Sequence, residues 1–297
     1  MEEGYFDRHQ ENALNANEKR KKESGGVIAL APEKTLYPFK EGIIYGEKGE
    51  ETINLKNGWT LEYSYSSLDK KGRDSYSRIT KKDPGFLAED IAKGKFRSLT
   101  RMLIKNKNGE QIDFFGELDP DIKIFFTAEN NEISESAAYP DHKMIFSYAP
   151  PNSFLGLMVL LHEIGHMSKT RENLSSRVEK VEQAAGILSK EDRLFHRFFR
   201  QKSSQGEIKH AAGTILEEER GAWSIALKLL RPALNAFDVS REDISQIIHK
   251  MSLTTYSKDV YTPKGNITLR DTLDLIKDLF SKTLQETQAQ QGQLESI

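Results

Sequence analysis

From Leu155 to His166 the only polar side chains are His162, Glu163 and His166. Leu155, Leu157, Met158, Val159, Leu160, Leu161 and Ile164 occupy every side of a helix, so a helix here has no face left for solvent and must be buried nearly all round. Burying a neutral polar group without a partner costs about 2 to 7 kcal/mol, and an ionised carboxylate costs more. Whatever closes around this helix must therefore bring partners for two imidazoles and a carboxylate.

The spacing His162-Glu163-Ile164-Gly165-His166 suggests what those partners are. Residues four apart lie one turn apart on the same helical face, so His162 and His166 can present two imidazoles to one metal ion. Glu163 stands beside that pair, where its carboxylate can reach a metal-activated water without being a ligand. The plainer alternative is a pair of core histidines satisfied by backbone carbonyls. That alternative leaves the carboxylate of Glu163 unexplained.

Composition narrows the donors. The 297 residues include no cysteine, which excludes disulfides, a thiol nucleophile and thiolate zinc sites, so the remaining ligands must be His, Asp or Glu. Charged residues make up 30% and apolar residues 37%, with a formal net charge of −2. That balance argues against nucleic acid as the main partner. The start of the chain lacks the basic and then apolar stretches of a secretory signal, and the apolar run Phe154 to Leu161 is too short to span a bilayer. A cytoplasmic location and no membrane span are expected.

Along the chain, residues 1–25 read as a disordered charged tail ending in Glu18-Lys19-Arg20-Lys21-Lys22-Glu23. Residues 26–118 read as a β-rich N-terminal region. Trp59, Leu61, Tyr63 and Tyr65 alternate with polar residues, and Asn108-Gly109 separates Arg101 to Ile104 from Ile112 to Phe115 as a hairpin turn would. Between them, Asp83-Pro84-Gly85 followed by Phe86, Leu87, Ile91 and Phe96 suggests a short helix. Strands are expected over Ile122 to Thr127 and Lys143 to Tyr148, with a loop between them, and Asn152 or Ser153 can cap the motif helix. Helices are then expected over 174–187, 190–201, 205–230, 241–255 and 269–284, before a flexible Gln-rich tail at 285–297.

A catalytic zinc usually takes three protein ligands and leaves one position for water. In Ile215 to Leu227, Ile215, Glu219, Ala222, Trp223 and Ala226 share one helical face, so Glu219 points where small and apolar side chains point. Ala222 and Ala226 would also allow close approach to the motif helix. Glu219 is the leading third ligand, with Glu218, His196, His210 and Glu172 as alternatives. Glu217-Glu218-Glu219 covers most of a turn, so one or two of these acids should face solvent.

HExxH followed by a downstream helical Glu, with Ala222 three residues later, resembles the gluzincin metallopeptidases, with minimal gluzincins and ImmA/IrrE-like enzymes the nearest comparisons. The resemblance covers residues 143–230 at most. It implies an α+β fold with a zincin-like catalytic domain at 119–284, comprising a small antiparallel or mixed sheet, the HExxH helix and a helical C-terminal half. It also implies Zn2+ held by His162, His166 and Glu219, with Glu163 as general base in hydrolysis of a protein or peptide substrate. In such enzymes the strand before the motif helix commonly edges the cleft, which here points to Lys143 to Tyr148. Several gluzincins have an Asp four residues after the ligand Glu to orient a zinc-bound His. Trp223 stands there in this chain, and an indole N–H can only donate, so another group must orient the imidazole. The competing expectation is a zincin-fold module, or a latent peptidase covered by a tail, that acts by docking to a protein partner.

Overall fold

A computed structural model describes residues 32–81, 87–128, 136–171, 173–192, 205–248 and 251. The strands are β1 (Lys48–Asn54), β2 (Trp59–Ser67), β3 (Phe96–Asn106), β4 (Gln111–Asp113), β5 (Lys123–Thr127), β6 (Ala137–Tyr139) and β7 (Met144–Ser147). The helices are α1 (Glu33–Leu36), α2 (Lys70–Thr80), α3 (Leu87–Ala92), α4 (Phe154–Met167), α5 (Leu174–Asp192), α6 (Gln205–Leu230) and α7 (Arg241–Ile248). The fold is α+β with one mixed sheet in the order β1-β2-β3-β5-β7-β6, and β4 pairs with β3. No helix among the described residues is long and apolar enough to cross a membrane.

Apolar residues on both faces of the sheet explain the layers. β2 alternates as expected, with Trp59, Leu61, Tyr63 and Tyr65 in the main core rather than on a binding surface. β5 sends Ile124 and Phe126 into that core and Phe125 into a second cluster, while β7 sends Ile145 one way and Met144 and Phe146 the other. Strands buried on both faces read as unbroken apolar runs. The second cluster also contains Leu68, Leu87 and Ile91, with Tyr76 and Ile79 of α2 packed against it. The main core holds most of α4 and the inner faces of α6 and α7.

Four features depart from the expectation. The sheet runs across the boundary placed between 118 and 119, because β3 on one side pairs with β5 on the other, from Phe96↔Thr127 to Leu99↔Ile124. The segment before the expected short helix contains α2, whose residues are mostly polar. The Asp69 carboxylate caps it by accepting from the Gly72 N–H, and Tyr76 and Ile79 dock it. The strand at Lys143 to Tyr148 is not an edge. β7 lies between β5, in parallel, and β6, antiparallel, so the edge is β6, three residues inside a stretch expected to be loop. The helices expected over 174–187 and 190–201 begin as one, continuous to Asp192, and residues 193–204 lie outside the described residues. The charged tail 1–25, the helix at 269–284 and the tail 285–297 lie outside them as well.

The packing that positions the functional groups is the contact of α4 with α6. α4 is capped by Ser153, whose Oγ accepts from the Gly156 N–H at 3.1 Å. Near its other end Gly165 faces the backbone of Ala222, where an added Cβ would lie 2.2 Å from the Ala222 carbonyl oxygen. Only a residue without a side chain lets the two helices come this close. We expect Gly165→Ala to push α4 and α6 apart and cost about 1 to 3 kcal/mol of stability, the usual range for overpacking. Gly213→Ala in α6, where an added Cβ meets no described atom within 4 Å, is expected to be neutral or to stabilise by up to about 1 kcal/mol. Urea denaturation of the two variants checks the contrast.

Candidate metal centre

His162, Glu163 and His166 stand on α4 and Glu219 on α6, and the close helix contact brings them together. His162 Nε2 and His166 Nε2 are 3.2 Å apart. Glu219 Oε2 lies 3.1 Å from the first and Oε1 lies 3.4 Å from the second. His162, Glu163 and Glu219 are each less than a tenth exposed. Glu219 meets the two imidazoles with different oxygens, and with one donor atom from each residue the three groups lie within 4.8 Å of one another. The group His162, His166 and Glu219 could hold a metal ion, and Glu163 lies outside that group on the same helix.

The cluster is polar beyond what its own hydrogen bonds satisfy. Glu219 Oε2 makes no hydrogen bond of acceptable geometry despite its nearness to His162, and His162 Nδ1 has no hydrogen-bond partner among the described residues. Burial opposes ionisation of Glu219, but His166 and His162 outweigh it and hold the carboxyl far below the usual range. Burial likewise opposes a charge on His166, and Glu219 with Glu218 overcomes it, raising its pKa to about 10. Without metal, a proton is thus retained between buried acids and bases. A metal taking its place must release that proton, because the ligand nitrogen has to be free.

Glu163 is placed differently. Burial lifts its carboxyl above the usual range, with His162 and His166 pulling the other way. The backbone of Ala138 in β6 also acts to lower it. The edge strand of the sheet therefore touches the group that sequence reasoning assigned as base.

The three consecutive acids divide three ways. Glu217 is exposed, Glu219 is buried in the triad, and Glu218 turns to the opposite side of the histidines. Glu218 Oε1 lies 3.1 Å from His166 Nδ1, and its carboxylate pairs with Arg171 and Arg177. Trp223 lies face to face with His162, ring centroids 4.2 Å apart and 25° between planes. It meets that imidazole with its π face. Sequence reasoning left open what orients the histidines, and neither contact follows from a spacing rule.

The other candidates fall elsewhere. His210 is exposed on α6, and at 100° per residue the nine positions to Glu219 put it on the opposite face. Glu172 and His196 lie outside the described residues.

The fold and site thus define an α+β protein with a buried two-histidine, one-glutamate group able to hold a metal ion. Compared with protein-family models, curated proteins and solved structures, the chain matches none of them.

Because one of the two tryptophans in the chain stacks on a candidate ligand, metal binding has an optical reporter. Adding Zn2+ to chelator-treated protein is expected to change the intrinsic emission. Trp59→Phe should keep the change and Trp223→Phe should remove it. Ligation of the folded state should also raise stability, by about 2.7 kcal/mol when free metal is a hundredfold above Kd. His210→Ala should leave the titration unaltered.

Proposed function

We propose that the chain is a zinc-dependent peptidase of the gluzincin type, with His162, His166 and Glu219 as metal ligands and Glu163 as general base. The observation that carries this reading is the division of four buried groups into three that converge within 3.1 to 3.4 Å and one, Glu163, set beside them. Structural zinc sites usually take four protein ligands, whereas catalytic sites take three. A scaffold that bound metal only for stability would have no chemical need for a buried carboxylate next to its ligands.

When bound, zinc would supply Lewis-acid polarisation of a peptide carbonyl and lower the pKa of a coordinated water toward about 7. The residues of the chain do the rest. Glu163 accepts the proton of the attacking water and returns it to the leaving amine, a role suited to a carboxyl whose basicity burial has raised. The low exposure of His162, Glu163 and Glu219 keeps bulk water from competing for the reacting groups. Because β6 is the edge of the sheet and reaches Glu163, it takes the substrate-strand role that the resemblance had suggested for Lys143 to Tyr148.

Three proteins separate the parts of this reading. Wild type should bind one equivalent of zinc and cleave members of a peptide library. Glu163→Gln should bind zinc normally while losing at least about 100-fold in kcat/KM, the lower range for general acid–base catalysis. Glu219→Ala should lose stoichiometric zinc and activity together. Metal analysis and mass-spectrometric detection of cleavage products provide the measurements. A wild type that neither retains nor takes up zinc would sink the proposal, and full zinc affinity in Glu219→Ala would remove that residue from the ligand set.

A further inference from the structure

We propose that Glu218, clamped by Arg171 and Arg177, is the positioning residue that fixes the His166 imidazole for metal binding. The proposal rests on the reading of His162, His166 and Glu219 as ligands and adds a residue to it. His166 directs Nε2 toward the triad and Nδ1 toward Glu218 Oε1, at 3.1 Å. An imidazole that gives one nitrogen to a metal carries its proton on the other, and the acceptor of that proton sets ring orientation and ligand basicity.

A free carboxylate on a long side chain would be a poor anchor, and this one is not free. Arg171 Nη1 and Nη2 donate to Oε1 and Oε2, both at 2.9 Å, as a planar fork. Arg177 Nη1 donates to Oε1 at 2.8 Å. The same guanidinium groups fasten to the end of α4, with Arg177 Nη2 donating to the His166 carbonyl at 2.8 Å and Arg171 Nη1 to the Gly165 carbonyl at 3.3 Å. The acceptor of the imidazole proton and the backbone of the imidazole are therefore held by one pair of cations.

Gly221 is part of the clamp. An added Cβ there would lie 2.1 Å from Arg171 Nη2, so a side chain would push the guanidinium out of its place. The two histidines are held by unlike means, His166 by a charged hydrogen bond and His162 by the face of Trp223. This difference supplies an internal control.

The test compares the full-length wild type, Glu218→Ala and Glu218→Gln by zinc affinity in chelator competition and by the Nδ1 proton resonance of each histidine. Glu218→Ala is expected to weaken zinc about 10- to 100-fold, as losing a partner of a ligand histidine does, and to move the His166 resonance while leaving that of His162 in place. Glu218→Gln keeps an acceptor oxygen but no charge, leaves the arginines hydrogen-bonded, and should fall between the two. Far-UV circular dichroism identifies a variant that has failed to fold, in which case Glu218→Gln alone decides. A Glu218→Gln protein matching wild type in both affinity and His166 resonance would overturn the proposal. So would loss of zinc in Glu218→Ala as complete as in Glu219→Ala, since Glu218 would then be a ligand itself. If wild type takes up no zinc, the peptidase reading fails, and the His166 resonance in the metal-free proteins still decides whether Glu218 holds that ring.

Discussion

Everything at the candidate site depends on one close approach, that of Gly165 on α4 to the Ala222 backbone on α6. Two imidazoles on a buried helix can satisfy each other only in part, and the acid that completes the set comes from another helix. The approach brings Glu219 within 3.1 to 3.4 Å of both rings, and no longer side chain is needed to cover the gap. The same contact sets Trp223 over His162 and Glu218 beside His166, because these residues lie one turn or less from Ala222 on α6. Distance between helices thus controls ligand geometry, imidazole orientation and burial together.

Charge balance explains why a site with three acids can exist in so small and dry a space. Glu163, Glu218 and Glu219 would repel one another if all were ionised at low dielectric. Glu218 is neutralised by two guanidinium groups on its far side. Glu219 faces the imidazoles and is compensated by a proton or by a metal. No arginine is among the groups that act on Glu163, so burial prevails over His162 and His166 and its pKa lies above the usual range. The three acids therefore have three different electrostatic settings: Glu218 is paired with arginines, Glu219 faces the imidazoles, and Glu163 is raised by burial.

The parts of this arrangement that can be read from sequence are those governed by a period within one element. The HExxH helix, the burial forced by its flanking leucines, the alternation of β2, the hairpin turn at Gly109 and the inward face carrying Glu219 all follow from spacing along a single helix or strand. What spacing does not encode is contact between elements. The clamp on Glu218 joins α6 to Arg171 in a loop and Arg177 on α5, and no interval in the chain announces that meeting. β6 is invisible for another reason, since Ala137-Ala138-Tyr139 is too short to show a period and is a strand because β7 is beside it. α2 has too few apolar positions to stand out, and is kept by a cap and two side chains on the second cluster.

That edge strand also bears on the choice between a hydrolase and a docking module. A zincin-like scaffold that bound partners along its sheet would gain from an edge whose backbone donors were all available. Here the β6 backbone at Ala138 faces Glu163, so the sheet edge is set against the carboxylate. That places Glu163 beside the edge of the sheet as well as beside the two histidines. A substrate strand seated along β6 would therefore bring its backbone close to the base and the ligand group at once. On the proposed reading such a strand would be placed for cleavage, whereas docking alone would make no use of Glu163.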